Sequence, residues 1–105
     1  MASGVKGSQR PGSNTDTNLY VCSGSACVVN VSACNDHASN ADSIEIYVVA
    51  NGATKGPSHA IEKDVSLAAG NVIERTGIAM AVGDFIVVNR GNGTTSFNVW
   101  GVDLA

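Results

Sequence analysis

The sequence predicts an all-β fold: a single antiparallel β-sandwich of about 7–8 short strands, with an extended N-terminal arm. Runs rich in Val, Ile, Phe and Thr recur along the chain, and glycine-containing turns interrupt them every ~8–12 residues. The clearest example is the stretch 67–88, where the turns at Gly70-Asn71 and Gly83-Asp84 each open such a run. No stretch has the apolar spacing of a helix of ordinary length. A jelly-roll and an immunoglobulin-like strand order both fit this pattern.

The 105 residues predict one sandwich domain, residues 18–105, behind an arm of residues 1–17. The arm is rich in Gly, Ser, Thr and Asn, and such a segment buries too little apolar surface to fold alone. Such a segment is either a disordered tail or an arm that a neighbouring subunit holds in place, and we expect the second. Val5, Arg10 and Pro11 are its candidate contact residues.

The charge of the chain excludes several classes of partner. Its net charge is −3 and its charged fraction 14%, against a typical ~25%. The six Lys and Arg residues are scattered, which argues against binding to nucleic acid. No apolar run approaches the ~18 residues of a membrane span, and the N-terminus lacks the apolar core of a signal peptide. We therefore expect synthesis in the cytoplasm, no membrane partner, and a low-charge surface that is partly covered by other proteins.

Alternation of apolar and polar residues defines the individual strands. The predicted strands cover residues 19–22, 26–33, 43–50, 58–67, 72–73, 76–80, 85–88 and 94–103. Within 26–33 the residues predicted to face the core are Cys27, Val29, Val31 and Ala33. The piece 76–80 is expected to be bent or bulged, with Ile78, Met80 and Val82 alternating on its apolar side.

The last strand is apolar on both faces, with Phe97 and Val99 on one side and Trp100 and Val102 on the other. Such a strand is either central in a sheet or half covered by a partner. Trp100 is accordingly a core residue, an interface residue or a platform for a ligand. One alternative is a carbohydrate-binding module, in which Trp100, Tyr20 or Tyr47 would be the platform on which a sugar stacks. The small number of aromatic residues in the chain argues against it.

Two polar groupings resemble catalytic or metal sites, and neither is convincing. Cys34, Asp36 and His37 share a loop of turn-forming residues, but zinc needs three or four converging ligands and His59 is distant in sequence. Four acidic residues invite an acid–base pair, yet they alternate with inward apolar residues as on an ordinary wetted strand face. These residues are Glu45, Glu62, Asp64 and Glu74. We expect no metal, no cofactor and no enzymatic activity.

The three cysteines, Cys22, Cys27 and Cys34, are odd in number and irregular in spacing, which predicts no disulfide framework. Cys27 lies at an inward strand position, where a thiol behaves as a small hydrophobic group. No function is assigned to any of the three.

The chain from residue 18 to 103 resembles small β-sandwich structural proteins of tailed-bacteriophage virions. The resemblance rests on six segments of the sequence. They are the Leu19-Tyr20 strand, the turn from Asn30 to Asn35, IEKDVSL at 61–67, AGNVIERTGIAM at 69–80, GDFIVV at 83–88 and WGVD at 100–103. The cluster of cysteines departs from the pattern.

This resemblance implies a non-enzymatic virion protein, most simply a capsid decoration (cement) protein that stabilises the shell. Its expected partners are the major capsid protein or other virion proteins, and copies of itself, with a trimer favoured because it matches the threefold positions of an icosahedral shell. The candidate interface residues are Val5, Arg10, Pro11, Tyr20, Tyr47 and Trp100. A neck, tail or fibre-attachment protein is the first alternative, and a carbohydrate-binding module is the second.

Overall fold

The computed structural model describes residues 2–91 and 94–104 and contains eight β-strands and one turn of 3-10 helix at Pro57–His59. The strands are β1 (Ala2–Gln9), β2 (Thr17–Val21), β3 (Ala26–Asn35), β4 (Asp42–Val49), β5 (Ala60–Leu67), β6 (Val72–Ala81), β7 (Phe85–Arg90) and β8 (Thr95–Leu104). The predicted all-β fold is confirmed. In the part of the chain that the structure describes, no helix has the length and hydrophobicity needed to cross a bilayer.

The strands form two four-stranded antiparallel sheets that pack as a sandwich. The first sheet has the order β1-β8-β3-β6 and the second the order β2-β7-β4-β5. Along the chain, the first strand pairs with the eighth, the second with the seventh, the third with the sixth and the fourth with the fifth. This pattern is a long hairpin rolled into two sheets, so the fold has the jelly-roll order and not the immunoglobulin-like one.

The core between the sheets is built by the predicted alternation. In β3 every second residue faces inward, and Val29, Val31 and Ala33 are completely buried. In β8, Phe97 and Val99 are equally buried, while Trp100 and Val102 point to the outer face. Because strict alternation places apolar side chains on one side of each strand, these inward positions could be assigned from the sequence.

The first part of the predicted arm lies within the first sheet. Ala2–Gln9 pairs along β8 as the edge strand β1, with Val5 opposite Trp100 and Ser8 opposite Asn98. Gly7 allows this strand to approach β2 closely, because a Cβ at that position would lie 2.6 Å from the Leu19 carbonyl oxygen. That residues 1–17 also contact neighbouring subunits stays a prediction.

The predicted bend in residues 76–80 is present as a β-bulge in β6. Val29 pairs with Ile78 and Val31 with Arg75, which leaves one extra residue on β6. Gly77 adopts a φ of 68° there, a left-handed conformation that favours glycine. Ile78 and Met80 face the core, whereas Val82 lies in the following turn and is exposed, so the predicted apolar alternation ends at Met80.

The sequence predicts no disulfide framework and leaves the redox state of the cysteines open, and the structure contains one disulfide. Cys22 and Cys27 are joined, with their Cα atoms 6.0 Å apart, and both are buried. Cys22 follows β2 in the second sheet and Cys27 lies in β3 of the first, so the bond ties the two sheets together. Cys34 is free and half-buried.

The predicted outward position of Glu62 is also wrong. Ile44 pairs with Val65 and Ile46 with Glu62, so β5 has one residue more than β4 in this interval. The bulge turns Glu62 toward the interior, where it is only 7% exposed. Arg75 of the first sheet forms an ion pair with it across the open edge of the sandwich.

Candidate binding face

The two outer faces of the sandwich differ in how they are covered. On the second sheet, Tyr47, Val49 and Val87 form a small outer cluster with Ala60. The Lys55 ammonium lies 4.2 Å from the centre of the Tyr47 ring. On the first sheet, by contrast, Val5 is 76% and Val28 46% exposed. The outer face of the first sheet is therefore the candidate binding surface.

One half of this face is apolar. Strand register places Val28 between Val102 and Ala79, and Val5 beside Trp100, all on the outer side. We call these five residues the apolar half of the face. Exposed apolar groups that lie together in this way are typical of a protein-binding surface.

The other half of the face is polar, and its one charged residue, Arg10, is paired with Asp36. It consists of Ser8 near the end of β1 and Arg10 just after β1, together with Ser32, Ser96 and Asn98 on the neighbouring strands. We call these five residues the polar half. An open pocket of about 380 Å³ lies here, lined by Ser8, Gln9, Arg10, Ser96, Phe97 and Asn98.

Hydrogen bonds fix the side chains of the polar half. Ser8 Oγ donates to Asn98 Oδ1 at 2.6 Å, and Arg10 Nη1 donates to Ser96 Oγ at 2.8 Å. Arg10 also holds Asp36 in a two-point ion pair at 2.8 and 3.0 Å. Hydrogen bonds from Arg10 and then Thr94 stabilise the carboxylate and lower the pKa of Asp36 to about 2. The pair therefore keeps both charges over the ordinary pH range while cancelling them.

The six predicted interface residues fall into three groups. Val5, Arg10 and Trp100 lie on the outer face of the first sheet, with Val5 beside Trp100 and Arg10 bonded to Ser96. Pro11 is buried and its carbonyl accepts a hydrogen bond from Arg90, and Tyr47 is only 3% exposed, so neither is open to a partner in this fold.

Tyr20, the sixth residue, lies at the edge between the sheets. Its hydroxyl group donates to Asp103 Oδ1 at 2.6 Å. The same carboxylate pairs with Lys6 at 3.1 Å. Tyr20 is thus half-buried and engaged within the chain.

The polar groupings considered for catalysis are engaged in holding the fold. His37 Nδ1 accepts hydrogen bonds from the backbone amides of Ser39 and Asn40, which shapes the loop after β3. Across residues 2–91 and 94–104, no group of three or more His, Cys, Asp or Glu side chains is placed to hold a metal ion. Glu45 accepts hydrogen bonds from Tyr47 and Lys63, and Glu62 is paired with Arg75.

Sequence reasoning missed the polar half as a unit. Ser8 lies in the predicted arm and Asn98 in the last strand, 90 residues apart, and only the β1–β8 pairing joins them. The sequence held one partial signal, the alternation of Ser96, Asn98 and Trp100 on one side of a strand.

No protein-family model, no curated protein and no solved structure matches this chain. The resemblance to phage structural proteins therefore stays a prediction.

Proposed function

We propose that this chain is a non-enzymatic structural protein of a tailed-phage virion, a decoration protein that binds the major capsid protein and stabilises the shell. The carrying observation is the exposed apolar half of the first sheet beside a second sheet whose outer face bears its own covered cluster. The resemblance of residues 18–103 to phage structural proteins supports the assignment to a virion.

The chemistry of the apolar half suits a protein partner. Burying a valine side chain contributes about 1.5–3 kcal/mol, and the half offers Val5, Val28 and Val102 together with Trp100. The face brings no unpaired charge at these positions, so contact avoids the cost of desolvating one. Each copy then contributes a modest contact, and many copies on a shell act together.

The N-terminal segment would add to these contacts. β1 is an edge strand of the first sheet and holds Val5 beside Trp100. An edge strand has backbone groups free to pair with another chain. Deleting residues 1–17 would remove this strand as well as any contact, so single substitutions test the proposal more cleanly.

A matched pair of substitutions tests the shell contact. Val28 and Val21 are both strand valines with nearly equal exposure, 46% and 48%, but Val21 belongs to the second sheet. We expect Val28→Arg to weaken co-sedimentation with undecorated shells by at least about tenfold, because it would bury an unpaired charge. Val21→Arg should bind as the unchanged protein does. Equal binding by the two variants, or no binding by the unchanged protein, would overturn the proposal.

Copy number separates decoration from the neck or tail alternative. A decoration protein occupies many equivalent positions on the shell, whereas a neck or tail protein is present in few copies. Quantitative mass spectrometry of purified particles, referenced to the major capsid protein, measures this ratio directly. A low ratio would contradict decoration and indicate a neck or tail protein.

A further inference from the structure

Trp100 lies at the boundary between the two halves of the face, and its polar neighbours define a second surface. We propose that the polar half and Trp100 together bind a neutral carbohydrate. This goes beyond the structural function proposed above. It shares Trp100 with the apolar half and otherwise uses different residues of the same face.

Strand geometry lines up the groups that a sugar chain needs. Ser96, Asn98 and Trp100 alternate along β8 on the outer side, at steps of about 6.6 Å. The pocket is lined by Ser96 and Asn98, and Trp100 is the next outward residue along β8. The pocket volume of about 380 Å³ lies within the roughly 300–1,000 Å³ range of small-molecule sites.

The polar half has unused hydrogen-bonding capacity. Asn98 Oδ1 accepts from Ser8, while Asn98 Nδ2 has no partner within residues 2–91 and 94–104. Ser96 Oγ accepts from Arg10 and retains its own hydrogen for donation. Asn30, the cross-strand neighbour of Trp100, accepts from the Gly77 amide and keeps its NH2 group. Amides and hydroxyls of this kind recognise sugar hydroxyl groups without requiring charge.

The charge balance selects against ionic ligands. Arg10 and Asp36 are both about half exposed and cancel each other at the rim of the pocket. A phosphate or sulfate would meet the Asp36 carboxylate, and a cation would meet the guanidinium group. A neutral, hydroxyl-rich ligand has neither conflict and can use both groups as hydrogen-bonding partners.

Trp100 is the aromatic side chain that remains for stacking. Tyr47 is buried beneath Lys55, and the Tyr20 hydroxyl is engaged by Asp103. An indole on the outer face of a sheet offers an apolar ring for the C–H groups of a sugar, and its N–H can donate a hydrogen bond.

Intrinsic fluorescence provides the test, because Trp100 is the only tryptophan in the chain. The full chain is titrated separately with hexasaccharides of glucose, mannose and N-acetylglucosamine, each to ~10 mM, which detects millimolar dissociation constants. We expect a saturable change in emission with at least one of them. Asn98→Asp should weaken that binding by about tenfold, because it replaces two donors by an acceptor while preserving the bond from Ser8.

Asn18→Asp is the matched control, since Asn18 is an exposed asparagine on β2 of the second sheet. It should bind the sugar as the unchanged protein does. The proposal is overturned if none of the three hexasaccharides gives a saturable change, or if the two aspartate variants bind equally well. The Asn98→Asp variant, which tests sugar binding, should still bind shells. The Val28→Arg variant, which tests shell binding, should still bind sugar. The failure of one proposal is therefore distinguishable from the failure of the other.

Discussion

Asp103 is an ionised side chain held at the end of the sandwich close to the disulfide. Its carboxylate accepts a hydrogen bond from Tyr20 and pairs with Lys6, while Cys27 Sγ lies 3.0 Å from Oδ1. The bond from Tyr20 is the main cause of the lowered pKa of Asp103. Besides burial, the same contact raises the pKa of Tyr20, because ionising the phenol would place a second negative charge beside the Asp103 carboxylate.

Tyr20 should therefore resist ionisation at high pH. Burial, followed by the bond to Asp103, raises the pKa of Tyr20 to about 12, and burial also raises that of Tyr47. Because the folded state favours the protonated phenol, Tyr20 contributes to the free energy of unfolding below pH ~10. This contribution disappears as the pH rises toward 12. Tyrosinate absorbance of the Tyr47→Phe variant isolates Tyr20 and should rise well above pH 10. In denaturant the same phenol should titrate near pH ~10, and titration there in the folded protein would contradict the prediction.

Single residues were predictable from the sequence where the strand alternation is unbroken. Val29, Phe97 and Trp100 lie on the sides that their strands assigned to them. Glu62 was misplaced because an extra residue in β5 reverses the alternation, and a bulge depends on the partner strand. Tyr47 does point away from the main core as expected, but the outer cluster buries it.

At the scale of elements, the strands were predictable and their covalent link was not. Seven strands lie close to predicted segments because glycine turns bound them, as at Gly70 and Gly83, which both have positive φ. Ala2–Gln9 is too polar to be recognised as a strand alone, and its pairing with β8 gives it that conformation. The Cys22–Cys27 bond depends on β2 and β3 lying in different sheets, which the spacing of two cysteines does not reveal.

The disulfide should stabilise the fold by about 2 kcal/mol, the loop-entropy value for so short a loop. Denaturant unfolding, followed by Trp100 fluorescence, should therefore give a lower free energy of unfolding in the presence of a reductant. Cys34→Ala should show the same difference, because Cys34 is not part of the bond. If the effect of the reductant disappears in Cys34→Ala, a bond between chains through that thiol is responsible and the prediction is wrong.

At the scale of the whole molecule, the sequence predicts a sandwich and leaves its strand order open. Jelly-roll and immunoglobulin-like orders use strands of the same length and composition, and they differ only in which distant strands pair. Here β1 pairs with β8 and β2 with β7, at separations that no local pattern encodes. The candidate face was unpredictable for the same reason, since β1, β8, β3 and β6 build it together.

Copies of the molecule are expected to associate as a trimer. The reason is the proposed position on threefold sites of a shell, where a closed ring satisfies the symmetry. Light scattering of the purified chain under reducing conditions measures the mass without crosslinks through Cys34. A dimer would contradict the prediction, and a monomer would mean that assembly requires the shell.

The rolled-hairpin order also has a kinetic consequence. Among the paired strands, β4 and β5 are separated by the shortest stretch of chain, whereas almost the whole chain lies between β1 and β8. The entropy cost of bringing two strands together increases with the length of chain between them. Folding should thus proceed from the middle of the sequence outward, with β1 docking last and, being an edge strand rich in Gly and Ser, opening first. A strand that opens before the rest of the fold can exchange with the same strand of a neighbour. The segment that completes each sandwich is therefore also the one best suited to join adjacent copies.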